Sequence, residues 1–308
     1  MYLITSRVIV LFALVFLGFY IGKRKIMPPD IAPQLSNFIV KITFPATVFL
    51  SMVRPYDETI ISHSVILFVV AFIFHLCMLA FGLVVTKVFR VDKKAQGVWI
   101  FVCMFSNNGF MGFPLAMGVY GDEGMMLIAF ANVATNLLIF SIGKKVITKN
   151  YDIKDKINFR QMFLTNINLA VIIGLIFFIF KIPLPEIVET GAGYVSDITA
   201  GLSMIVVGLS LSRADVKSII KGADMWIMAG IRLVVIPLIV IAFVKCVPAF
   251  NGTLMGQIFV LMAALPTAST VSLLSEQFHT NVELAAKMVF STTLLSVVTI
   301  PIMMSFVS

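Results

Sequence analysis

Apolar residues run along this chain in blocks of membrane length, parted by short polar stretches. The blocks predict spans at 3–22, 33–53, 63–86, 97–117, 123–146, 162–182, 193–211, 225–247, 253–275 and 284–307. A bilayer core takes about 20 apolar residues per helix. The pattern therefore predicts an all-α integral membrane protein of ten transmembrane helices. The first run, Val8 to Ile21, is short enough for a signal peptide. Its charges, Lys23, Arg24 and Lys25, follow the run instead of preceding it, and no small-residue cleavage site is evident. It is expected to be a helix of the mature chain.

Charge adds orientation. Only 12% of the 308 residues are charged and 60% are hydrophobic, against about 25% charged in soluble domains. The net charge of +8 does not read as a nucleic-acid footprint, because of where the charges sit. With the N-terminus outside, the inner loops hold seventeen Lys and Arg: Lys23, Arg24, Lys25, Lys87, Arg90, Lys93, Lys94, six between 144 and 160, Arg213, Lys217, Lys221 and Lys287. The outer side holds four: Arg7, Arg54, Lys181 and Lys245. Retention of basic loops in the cytoplasm then places both termini outside the cell membrane. The polar connection 147–160 is cytoplasmic in this scheme and separates residues 1–146 from 161–308, five spans each. An odd number of spans inverts the second half, so related halves would form an inverted repeat. Ile100-Phe-Val-Cys-Met104 can be laid on Ile258-Phe-Val-Leu-Met262, a register that also pairs Leu115 with Leu273, Thr135 with Thr293 and Leu137 with Leu295.

Spans four and nine, paired by that register, are both interrupted. Span four carries Asn107, Asn108, Gly109, Gly112 and Pro114 near its middle. Span nine carries Pro266, Thr267, Ser269 and Thr270. Proline removes a backbone donor and glycine loosens a helix. Freed backbone groups at membrane depth must line a cavity or be buried in protein. Breaks at corresponding positions in two halves point to a transporter binding site. Half-helix N-termini there would offer free N–H groups to an anion. These residues are the candidate substrate contacts, and a small organic anion is the candidate partner.

The segment Asn107-Asn-Gly-Phe-Met-Gly-Phe-Pro-Leu115, followed by Tyr120-Gly121, resembles the fourth span of the auxin efflux carrier family. So do Ala264-Leu-Pro-Thr-Ala-Ser269, Ser291-Thr-Thr-Leu-Leu-Ser296 and Pro301. That family includes plant PIN carriers and bacterial permeases associated with malate or malonate. The resemblance covers the chain in span count and central loop. It implies secondary transport of a mono- or dicarboxylate by an elevator-type alternation. It also implies two inverted five-helix repeats whose spans four and nine cross at their prolines. Spans 1, 2, 6 and 7 would be the scaffold, and spans 3–5 and 8–10 the moving unit. One departure stands out: Ser106 occupies the position where PIN carriers have a proline before the asparagine.

Other polar groups fall inside spans. Asn132 and Asn136 share a face of span five, with Thr135 beside them; Ser291, Thr292, Thr293 and Ser296 occupy the matching region of span ten. Either cavity lining or helix-to-helix hydrogen bonding suits them. His75 lies deep in span three, as a proton-coupling group or a satisfied interior histidine. Lys41, midway along span two, would attract an anion, replace a bound cation, pair with Asp197 or lie at a homodimer interface. Arg232 is expected to snorkel to the cytoplasmic surface. No pair of carboxylates sits clearly mid-membrane, against an antiporter built on buried acids; coupling to H+ or to Na+ held by neutral oxygens stays open. The cysteines Cys77, Cys103 and Cys246 lack metal-ligand spacing, and no hydrolase, zinc-protease or phosphate-loop motif is present. An enzyme or cofactor carrier is not expected. A sodium-coupled organic-anion symporter of the bile-acid type is the alternative, and a channel the weaker one.

Overall fold

The computed structural model of the protein describes residues 2–28, 30–153, 162–213 and 223–307. Part of the expected linker, 154–160, and five of the basic residues used for orientation, Lys154, Lys156, Arg160, Lys217 and Lys221, lie outside the described residues. The helices are α1 Tyr2–Lys23, α2 Ile31–Phe38, α3 Phe44–Met52, α4 Glu58–Val88, α5 Gln96–Met104, α6 Phe113–Leu138, α7 Lys144–Ile147, α8 Asn166–Phe180, α9 Glu186–Ser212, α10 Ala223–Gly230, α11 Ile236–Cys246, α12 Leu254–Ala264, α13 Thr270–Gln277 and α14 Val282–Ser305. Among the described residues no strand forms, and one isolated bridge is the sole strand-like pairing.

Seven runs are long and apolar enough to cross a membrane: 6–23, 31–52, 58–88, 108–147, 186–212, 224–246 and 282–305. The remaining expected spans fall on shorter pieces, for physical reasons. Spans four and nine are cut by their breaks into α5 plus the start of the 108–147 run, and into α12 plus α13. The expected boundary between spans four and five shrinks to Gly121, whose φ of 64° and ψ of −153° turn the chain without a loop. Glycine alone adopts that conformation freely. Span six is the 15-residue α8.

Helix starts follow side-chain chemistry. Asp57, Thr165, Thr253 and Asn281 each accept a hydrogen bond from a first-turn amide of α4, α8, α12 and α14, satisfying donors that a helix leaves open. Proline shapes the interiors. Pro45, Pro114 and Pro237 each follow a widened π-helical turn, at Ile39–Thr43, Asn108–Gly112 and Ile231–Val235. There the residue before the proline donates five residues back, to Ile39, Asn108 and Ile231. Pro45 has no N–H for the Lys41 carbonyl. Asn166 Nδ2 supplies that donor instead, at 3.3 Å.

The most extensive helix contact is α1 against α9. A Cβ on Gly18 would lie 2.1 Å from the Ile205 carbonyl oxygen, and one on Gly208 would lie 2.0 Å from that of Val15. The two backbones touch because these residues have no side chain, the close packing that replaces hydrophobic driving force in lipid. Hydroxyls add to it: Thr47 of α3 donates to Thr199 of α9 at 2.9 Å, and Ser196 donates to Thr47 at 3.2 Å. α4 packs on α5 and α6. Near the Gly121 turn, Arg7 donates to the Val119 carbonyl at 3.0 Å and Arg54 pairs with Glu123 at 2.8 Å. At the other end, Asn150 donates to the Lys93 carbonyl at 2.7 Å and Tyr151 to that of Lys94 at 3.2 Å.

Replacing Gly208 with Ala should lower stability by about 1–3 kcal/mol, the usual cost of overpacking. Gly193 in the same helix has open space around its would-be Cβ, so Gly193→Ala should be neutral or slightly stabilising. Thermal midpoints of the two purified variants check the contrast; equal midpoints would rule out backbone contact at Gly208.

Candidate junction of two broken helices

α5 stops at Met104 and α12 stops at Ala264, and the unwound segments beyond them pair with each other. The Asn107 amide donates to the Pro266 carbonyl at 2.9 Å, and the Ala268 amide donates to the Phe105 carbonyl at 3.0 Å. Ser106 and Thr267 form the antiparallel bridge between them. Thr267 Oγ1 also donates to the Phe105 carbonyl at 3.4 Å, and the Thr267 amide donates to Thr292 Oγ1 of α14 at 3.3 Å. Each break thus satisfies the backbone groups that the other leaves open, as hydrocarbon requires.

The chain resumes as helix on the far side of the junction. Asn107 caps its new helix, its Oδ1 accepting the Phe110 amide at 3.2 Å. Ser269 stands at the N-cap of α13 with no side-chain cap bond. Both line a cavity of about 410 Å³. Its other walls are Phe110, Ser272 of α13, Thr293 and Phe290 of α14, Ser36 of α2, and Val206, Val207, Ser210 and Leu211 of α9. Arg213 is the one charged residue among the described lining. Two helix starts, several hydroxyls, one cation and an apolar wall therefore meet in one space. Pockets for small molecules share that mixture and size.

The opposite side of the junction holds Arg232. It does not snorkel: it is 0% exposed. The widened turn Ile231–Val235 carries it inward, where Nε donates to the Leu265 carbonyl at 3.1 Å and Nη2 donates to Ser106 Oγ. Those acceptors lie just past the C-terminal ends of α12 and α5. Hydropathy places Arg232 near a surface. It gives no sign that the serine standing where PIN carriers have proline is the arginine's partner.

His75 is also behind the junction and fully buried. Its Nδ1 lies on the Ala71 carbonyl, which accepts only, so Nδ1 carries the proton. Nε2 faces Thr135 Oγ1 at 3.3 Å, a hydroxyl that donates to the Ala131 carbonyl at 3.0 Å and accepts from Asn108 Nδ2 at 3.0 Å. Asn108, Thr135 and His75 thus form a line that props the junction from α4.

The other candidates divide. Gly109 is partly exposed, and a Cβ there would meet only Phe44, at 3.8 Å. Gly112 is packed; a Cβ would fall 2.8 Å from both Ile128 and Leu265. Pro114 and Pro266 are buried in the junction walls, and Thr270 opens α13. Asn132 is buried within α6. Asn136 donates to Asn168 Oδ1 of α8 at 3.1 Å, a bond between helices. Lys41 is exposed and is not among the residues lining the cavity; Asp197, its expected partner, is exposed as well. The wall residues Ser36, Phe110, Ser210, Arg213 and Ser272 escaped the sequence reading. The clustering of small and hydroxyl residues in span seven was the available signal for α9.

Comparisons with known proteins point to membrane transport. Two relatives described only as transporters, from Methanothermobacter thermautotrophicus and Methanocaldococcus jannaschii, are each 27% identical, over 97% and 95% of this chain and 96% and 95% of their own. A protein of Rhizobium meliloti described as a candidate malonate transporter is 25% identical over 96% of this chain and 93% of its own. Residues 3–304 match the family described as membrane transport protein, and the chain belongs to that family, the one that contains the auxin efflux carriers.

Proposed function

We propose that this protein is a secondary transporter of a small organic anion, with the 410 Å³ cavity as its binding site. The observation that carries the reading is the convergence of Asn107 and Ser269, the N-caps of two broken helices, on that cavity. Each helix start favours a negative group by roughly 0.3–2 kcal/mol, depending on burial. Arg213 adds a full charge at the wall, while Phe110, Phe290 and the valines accept an apolar body. A carboxylate binds at the caps and its carbon skeleton rests on α9. Malonate is the first acid to test, because one relative's description names it.

The transport cycle follows from the same division. Ten spans form two inverted repeats whose interrupted helices cross at the junction. Spans 1, 2, 6 and 7 are the scaffold, supported by the backbone contact of α1 with α9. Spans 3–5 and 8–10 move as a unit carrying the junction, and the cavity lies between the two bodies. Ser36, near the start of the 31–52 run, and Arg213, just after the end of α9, lie at the helix ends that the distribution of Lys and Arg puts inside. The described state is then open to the cytoplasm and closed near Gly121, with both termini outside. The runner-up, a sodium-coupled symporter of the bile-acid type, differs in requiring Na+ for anion binding.

Asn107→Asp keeps the cap and sets a carboxylate against the substrate. It should fold as the parent does and lose at least tenfold in anion affinity by titration calorimetry. Unchanged affinity would remove Asn107 from the site. Competition against radiolabelled substrate should favour an acid over its neutral amide by about tenfold or more, since the amide forfeits the charge the caps favour. Equal inhibition would end the anion reading. A cysteine placed at Asn150 should react with an impermeant reagent only after cells are permeabilised. Because His75 is buried behind the junction and does not line the cavity, His75→Gln should leave the pH profile of transport unchanged; a flattened profile would make His75 the proton carrier.

A further inference from the structure

Arg232 presents a problem that binding at the cavity does not explain. A guanidinium at 0% exposure is costly unless opposite charge surrounds it. Yet no carboxylate pairs with it among the described residues, and Nη1 has no partner at all. No group of acids or histidines able to hold a metal ion occurs there either, again among the described residues.

The compensating charge is in the backbone. α5 and α12 end at the junction, and the end of a helix carries about −0.5 of an elementary charge. Two such ends sum to about −1, the complement of one monovalent cation. The groups that Arg232 touches, the Leu265 carbonyl and the Ser106 hydroxyl, are neutral oxygens just beyond those two ends. In transporters with discontinuous helices, half-helix C-terminal ends and unwound carbonyls are where Na+ is coordinated. Here the same chemistry is met by a side chain reaching over from the turn Ile231–Val235.

We propose that Arg232 is a built-in cation: it permanently fills the place between the two half-helix C-termini where an alkali ion would otherwise sit, so the junction stays assembled without Na+. This rests on the transporter reading in so far as it predicts sodium-independent transport. Its structural part stands by itself. Arginine suits the task because its fork spans two acceptors at once and its charge is permanent. Arg232 is a positioning residue: it acts on substrate only through the segments that carry Asn107 and Ser269.

The test is chemical replacement. Arg232→Ala leaves a vacancy of guanidinium size between two negative helix ends. The purified variant should melt below the parent. Methylguanidinium or Na+ at low millimolar concentration should raise its midpoint by about 3 °C or more relative to choline at equal ionic strength, and the parent should not respond. In vesicles, the parent should transport equally, within twofold, when choline replaces Na+. A variant without cation preference overturns the proposal, and so does a parent that loses tenfold or more without Na+. If Arg232→Ala does not fold, Arg232→Lys and Arg232→Met decide. Lys keeping the protein folded where Met does not supports the charge role; Met behaving as the parent, or both failing alike, refutes it. Cation-dependent melting of Arg232→Ala in a protein that moves no organic anion would sink the transport reading and leave this one standing.

Discussion

Two hydrogen bonds, from the Asn107 amide to Pro266 and from the Ala268 amide to Phe105, hold together two segments where the chain unwinds between buried helices. In hydrocarbon a broken helix strands donors and acceptors that water would otherwise satisfy, at several kcal/mol for each group. One break alone would be hard to sustain. Two breaks brought face to face satisfy each other, so each depends on the other's position. The surrounding polar groups serve that dependence. Thr292 accepts the Thr267 amide, Asn108 leans on Thr135 and His75, and Arg232 binds just beyond both helix ends.

The junction also sorts charge. Helix starts open on one side of it and helix ends close on the other, so a single pair of breaks makes an anion-favouring face and a cation-favouring face a few residues apart. The cavity lies on the first face. Arg232 lies on the second. Under the two proposals, function at the first face needs a vacant space and stability at the second a filled one.

Much of this was legible in the sequence. Span positions follow from apolar runs, and the breaks follow from Asn107, Gly109, Gly112 and Pro114 in one half and Pro266 in the other. Asn107 and Ser269 were identified from their type and place, and both line the cavity. What stayed hidden depends on contacts between different helices, across separations of 32 to 126 residues. Arg232 reads as a snorkelling residue because hydropathy counts distance along one helix and not the neighbour on the next. Lys41 reads as a mid-membrane charge, but its side chain is exposed while its carbonyl is the group the structure uses, in a bond from Asn166. Asn136 suits either cavity lining or a bond between helices, and it reaches Asn168. Arg213 was noticed only as a topological marker, since nothing local says that α9 ends beside α13 and α14.

The closure near Gly121 has a mechanical meaning. Arg54 and Glu123 form an ion pair whose side chains remain 23% and 48% exposed. Such pairs contribute about 0–1 kcal/mol, which is comparable with thermal energy. A latch of that strength does not lock. Under the proposed alternation, it leaves that end of the protein resting shut and ready to part whenever the apolar surfaces behind it shift, with dissolved salt weakening its grip further.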